Sequence, residues 1–191
     1  TTSIVVVHGK SEELFARHIM ACLKLSSYIH SRTTSIQING LKRELETNFK
    51  NINTLKKFEK ISLEIKKGKI KSDFRIFTIM DTDDCSEEIK QDYISGKLFE
   101  DYLLKEYVVP IFNSDSLEDA LLDCGIINKK LQDKEKIKEY KKIFDIPKIP
   151  YNKTKEQELK ELSNTLRKTK KTNMYLFVEY CIEQAAKKKS K

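Results

Sequence analysis

Residues Ser3 to His8, SIVVVH, form an unbroken run of mostly β-branched apolar side chains that stops at Gly9. A strand with one wet face alternates apolar and polar residues; an unbroken run needs cover on both faces, as in a parallel sheet clothed by helices. The next residues have helical period. Ser11 stands where an N-cap would, Glu12 and Glu13 suit the positive end of a helix dipole, and Leu14, Phe15, Ile19, Cys22 and Leu23 make one apolar stripe. Strand, tight turn and helix are the opening unit of an α/β fold.

The same alternation of periods continues to about residue 125. Ser35 to Asn39 (SIQIN) has the pattern of a second strand ending at Gly40, and Leu41 to Lys67 reads as charged helix, with Leu45, Phe49, Ile52, Leu55, Phe58, Ile61 and Ile65 in steps of three or four before Gly68. Phe74 to Met80 (FRIFTIM) is a third strand that runs directly into Asp81, Thr82, Asp83 and Asp84, after which Ser86 is placed to cap a helix towards Leu104. Tyr107 to Phe112 is a fourth strand, and Pro110, which has no N–H to give a ladder, predicts an edge position. A short helix from Leu117 to Cys124 ends at Gly125.

After Gly125 only helical patterns remain, at Lys129–Phe144, Lys155–Thr169 and Asn173–Lys188, parted by the Pro147 and Pro150 loop and by the basic stretch Lys168 to Lys171; the final KKKSK is expected to fray. The predicted fold class is therefore α/β: a Rossmann-like, mostly parallel four-stranded sheet flanked by helices over residues 1–125, with a basic helical extension, residues 126–191, packed on it. A chain of 191 residues can bury such a core without covalent staples.

Composition narrows the function classes. Cys22, Cys85, Cys124 and Cys181 form no CxxC pair and stand apart from the three histidines, so a structural zinc is not expected. No run has the layout of a signal peptide or the ~18 consecutive apolar residues of a membrane span. The expected setting is cytoplasmic, with no membrane partner. Of the net charge of +8, residues from Ile146 onward carry +7, with 12 basic and 5 acidic side chains. Such a field suits an anionic partner such as nucleic acid, in which each neutralised phosphate releases counterions.

In open α/β sheets the functional crevice lies beyond the carboxyl ends of the strands. Strand one delivers His8 and Glu12 there, strand three delivers Asp81, Asp83 and Asp84, and strand four leads through Asn113, Ser114, Asp115 and Ser116 to Glu118. Converging carboxylates repel one another and are costly to desolvate, which favours a bound hard cation, Mg²⁺ or Mn²⁺. In Asp81-x-Asp83 the two acids are expected to point the same way, with Thr82 and Asp84 pointing elsewhere.

Residues 5 to 15 (VVVHGKSEELF) and 79 to 84 (IMDTDD) resemble the Toprim domain, and within it the OLD-type and RloB-like nucleases of bacterial phage defence. Their first motif, E-G-x-x-[DE], is matched by His8-Gly9-Lys10-Ser11-Glu12, and their later Glu-bearing helix resembles Leu117-Glu118-Asp119-Ala120-Leu121. The likeness spans roughly residues 3 to 125 as short motifs on an element order. It implies a metal-dependent nuclease in which Glu12, Asp81, Asp83 and Glu118 hold one or two Mg²⁺ or Mn²⁺ ions and His8 is a variant ligand or proton-transfer group. Lys10 is the implied phosphate-binding residue, and Arg167, Lys168, Lys170 and Lys171 are the expected nucleic-acid face. It further implies an antiviral effector of abortive infection working with a separately encoded ATPase, since the chain has no motor motif.

His8 departs from the family's acidic residue. The departure opens a competing expectation, a catalytically silent Toprim-like module that binds DNA, RNA or a protein. HGKS lacks the first glycine of a P-loop, DxD after the third strand is misplaced for a haloacid-dehalogenase-like phosphatase or a receiver domain, and no G-x-S-x-G elbow exists. A primase-like Toprim would need accessory parts that this short chain lacks.

Overall fold

The computed structural model describes residues 3–57, 63–70, 73–131, 133–145 and 153–190. Its strands are β1 (Ser3–Val7), β2 (Tyr28–His30), β3 (Ile65–Lys66), β4 (Lys69–Ile70), β5 (Arg75–Asp81) and β6 (Val108–Asn113). Its helices are α1 (Lys10–Cys22), α2 (Ile38–Asn48), α3 (Ile52–Lys56), α4 (Glu87–Ile94), α5 (Leu117–Asp123), α6 (Asp133–Ile143), α7 (Lys153–Leu166) and α8 (Tyr175–Lys189). Four strands make one all-parallel sheet in the order β2-β1-β5-β6, and β3 and β4 form a separate hairpin. The chain steps from β1 to one side for β2, then crosses to the other side for β5 and β6. The strand order thus reverses between β1 and β5, and a crevice opens at their carboxyl ends.

Period-two alternation sends each strand's side chains into two cores. Val5, Val7, Phe77, Ile79 and Ile111 meet α1 and α5 to α8 on one face, including Phe15, Tyr140, Leu166 and Phe177. Ile4, Val6, Ile76 and Met80 meet α2 to α4 on the other, including Leu41, Phe49 and Tyr93. Ile4 to Val7 are wholly buried, as an unbroken apolar run requires; each such side chain contributes roughly 1.5–3 kcal/mol relative to exposure. Helices from the C-terminal third therefore complete the layer that α1 begins.

Several expectations are corrected. The second strand is Tyr28–His30, not Ser35–Asn39, whose Ile38 opens α2. The long helix expected over Leu41–Lys67 is broken into α2, α3 and the β3–β4 hairpin, whose turn residues Lys67 and Gly68 both have positive φ, at 52° and 75°. The cap of α1 is Gly9 rather than Ser11. Ser86 and Ser116 do cap α4 and α5. The segment expected to fray is helical to Lys189, with Lys187 paired to Asp73 and Lys188 Nζ donating to the Lys24 carbonyl. The Pro147 and Pro150 loop lies outside the described residues. Pro110 sits on edge strand β6, as its missing N–H requires. Asn173 covers that edge, accepting from Phe112 N at 2.8 Å and donating to the Pro110 carbonyl at 2.9 Å.

Candidate functional site

The residues that close the ends of β1, β5 and β6 are tied to one another before any side chain reaches a ligand. His8 N donates to the Ile79 carbonyl at 2.8 Å, extending the β1–β5 ladder by one residue. Thr82 N donates to the carbonyls of Asn113 and Asp115, and the Thr82 hydroxyl donates to the Asn113 carbonyl at 3.1 Å. The acidic turn after β5 is thereby fixed against β6. Asp115 takes φ 65° in the turn that leads into α5.

Glu12 is 2 % exposed in the first turn of α1, with Oε2 accepting from the Gly9 N–H at 2.9 Å. Burial, and then the neighbouring Asp81 charge, push its carboxyl up to about 8. Asp81 is the last residue of β5, where Oδ1 accepts from Asn113 Nδ2 and from Leu117 N, each at 2.9 Å. Burial also raises Asp81, with the Asn113 hydrogen bond opposing the shift. Two carboxyls facing each other across the β1–β5 crevice are thus each held towards their protonated forms by the lack of water.

Glu118, 7 % exposed in α5, joins the same centre but is already engaged: it accepts from Leu131 N through Oε1 and pairs with Lys136 Nζ at 3.1 Å through Oε2. Lys136 comes from α6 and also lowers the Glu12 carboxyl against its burial. One turn further along α6, Tyr140 lies wholly buried. Sequence patterning marks this helix but ties nothing in it to the acids; only the packing of α6 on α1 does so.

The Asp81-x-Asp83 expectation is altered. Asp83 is exposed, whereas both carboxylate oxygens of Asp84 are buried without a hydrogen-bond partner among the described residues, as is His8 Nδ1. Burial raises Asp84, and the nearby imidazole of His8 opposes that shift. Alternation along the strands explains the grouping: His8 follows Ile4 and Val6 onto the α2–α4 face, while Asp81 follows Phe77 and Ile79 onto the α1 face. Two acidic clusters therefore flank the sheet end, Glu12 with Asp81 and Glu118 on one side and Asp84 with His8 on the other.

The basic residues separate into two groups. Lys10 pairs with Glu13 at 3.1 Å, and Arg167 pairs with Glu179 while its guanidinium lies 4.3 Å from the Tyr175 ring centroid. Both are occupied on their own helices or a neighbouring one. Lys168 and Lys170 are exposed, and Lys171 Nζ stands 3.8 Å from Asp115 Oδ2. Their loop is stitched to the end of β6: Ser114 N donates to the Lys171 carbonyl at 2.6 Å, and Thr172 Oγ1 donates to Asn113 Oδ1 at 3.0 Å. The lysines thus stand beside the acidic turn.

The donor chemistry fits a divalent cation. Paired buried carboxyls held protonated by mutual repulsion are what a cation relieves, and the unpartnered Asp84 oxygens are unspent acceptors. Among the described residues no three His, Cys, Asp or Glu side chains are already gathered in ligating positions. Ligation therefore requires side-chain rotation at the crevice. No helix among the described residues is long and apolar enough to cross a membrane. No family model matches the chain, and no curated protein or solved structure was found to resemble it.

Proposed function

We propose that this chain is a Toprim-type nuclease that cleaves nucleic-acid phosphodiesters with Mg²⁺ or Mn²⁺, acting in the cytoplasm as a phage-defence effector beside a separately encoded ATPase. The observation that carries the chemistry is the buried Glu12–Asp81 pair at the point where strand order reverses. The defence role and the ATPase rest on the sequence likeness alone.

Glu12 and Asp81 would hold the cation, with Asp83 or Asp84 turning in from the loop and Glu118 released from Lys136. When bound, the cation supplies Lewis-acid stabilisation of phosphoryl charge and a more acidic water. His8 stands where a proton can be passed at the far side of the sheet end. Lys168, Lys170 and Lys171 would steer the backbone of the nucleic acid, while Arg167 serves packing through Tyr175 and Glu179. The test is cleavage of end-labelled single- and double-stranded DNA and RNA with each metal. Cleavage abolished by Asp81→Ala supports the proposal; no cleavage of any substrate, with no heat of Mn²⁺ binding, removes it.

One observation favours the silent module instead. Glu118 already has a cationic partner in Lys136 and a backbone donor in Leu131, so part of the acidic charge is compensated within the protein. Calorimetric Mn²⁺ binding separates the two, because a silent module has no need of the ion.

A further inference from the structure

Helix α6 brings two side chains to the carboxylate centre on one face, since residues four apart lie one above the other. The helix is seated by aromatic packing: Phe144 meets Phe15 edge-on at 5.3 Å between ring centroids, and Tyr140 stacks on Phe144 at 5.9 Å. Lys136 extends to Glu118 at 3.1 Å. Tyr140 is 0 % exposed, and its hydroxyl has no hydrogen-bond partner among the described residues. That hydroxyl lies in the field of Glu118, Glu12, Asp81 and Asp119, and burial first, then those charges, raise it well above its ordinary range.

As core filler this tyrosine makes no sense. Phenylalanine would stack on Phe144 equally well without desolvating a hydroxyl, and a buried donor left unpaired is destabilising. What the hydroxyl lacks is an acceptor oxygen. Carboxylates alone would repel an anionic acceptor, but a divalent cation among them reverses the local field. A phosphoryl oxygen then becomes a suitable partner, and Lys136 has the charge to join it.

We propose that the Tyr140 hydroxyl and Lys136 Nζ are a donor pair that grips a phosphoryl group held at the carboxylate centre with a divalent cation. The inference rests on the cation chemistry of the proposed function but not on cleavage. Tyr140 and Lys136 are thus substrate-binding groups contributed by the C-terminal third of the chain.

The probe is inorganic phosphate, titrated calorimetrically into the full chain with saturating Mn²⁺, native against Tyr140→Phe, with thermal denaturation of both proteins in the absence of ligand. The expected result is an unchanged or raised melting temperature for Tyr140→Phe, unchanged Mn²⁺ affinity, and phosphate affinity weakened about tenfold, as for removal of one good hydrogen bond to a charged group. Lys136→Met, which keeps the aliphatic stem, should weaken phosphate similarly. Three results overturn the proposal: equal phosphate affinity in native and Tyr140→Phe, no phosphate binding by the native chain with Mn²⁺, or a melting temperature that falls in Tyr140→Phe. A native chain that binds phosphate through Tyr140 yet cleaves no nucleic acid refutes the nuclease assignment and leaves this inference standing.

Discussion

Replacing Glu12 by Gln isolates the energetic consequence of the buried acid. The amide oxygen of Gln can still accept from Gly9 N–H, so the first turn of α1 keeps its hydrogen bond while the ionisable group is removed. In the unfolded chain Glu12 titrates near 4.5, and in the folded chain at about 8. Between those values the folded state retains a proton that the unfolded state has released. Folding stability contributed by this group is therefore full below the unfolded value and is lost as pH rises through the folded one, at up to ~1.4 kcal/mol per pH unit. The total reaches on the order of 4 kcal/mol by pH 8.5, shared in part with Asp81, whose carboxyl shifts in the same direction. The assay is urea denaturation of both proteins from pH 5 to 9, read as a difference curve so that groups common to both cancel. Near pH 5 the proteins should be about equally stable, and by pH 8.5 Glu12→Gln should be the more stable by a few kcal/mol. A flat difference curve would refute the buried-acid account.

Tyr93→Phe removes a hydroxyl buried against the carbonyls of Thr78 at 2.7 Å and Ile111 at 2.9 Å, and should cost about 1–3 kcal/mol in urea with an unchanged m value. Changing Lys168, Lys170 and Lys171 together to Ala should weaken nucleic-acid binding across sequences and reduce the salt slope by roughly 0.9 for each phosphate that is no longer neutralised, read by fluorescence anisotropy at several salt concentrations. Arg167→Ala, by contrast, should lower the melting temperature and leave that slope alone, because its guanidinium is spent on Tyr175 and Glu179. Asp84→Asn should weaken Mn²⁺ binding more than Asp83→Asn, measured by calorimetry; the opposite ranking would return the second aspartate's role to Asp83.

What is legible in the sequence follows from how far each element's signal is local. β1, β5 and β6 are long, and β1 and β5 are buried on both faces, so their apolar runs announce themselves. β2 has only three half-buried residues, and its neighbour SIQIN mimics alternation because Ile36 and Ile38 are both buried on either side of the helix cap Gln37. Gly68 reads as the end of a helix in the sequence, although with Lys67 it makes a two-residue hairpin turn. Within the site, Glu12 and Asp81 are recoverable because strand ends converge in any parallel sheet. Asp84 escapes such reasoning because the turn after β5 is bound to β6 through Thr82, a long-range tie that strand alternation does not contain. Lys136 and Tyr140 are invisible for a similar reason, since their meeting with Glu118 and Glu12 depends on α6 returning across α1.

The Asn173 clasp on β6 has a further effect, on self-association. An uncovered sheet margin presents a row of backbone donors and acceptors to which another chain's strand can add, the first step of fibre growth. Here Asn173 takes the Phe112 N–H and the Pro110 carbonyl, Pro110 itself has no N–H to offer, and the Lys171 carbonyl takes the Ser114 N–H. At the opposite margin β2 runs for only three residues, too short to template a partner. A strongly parallel, strongly apolar sheet is thereby kept from polymerising, and Asn173→Ala should convert a monodisperse protein into one that binds thioflavin.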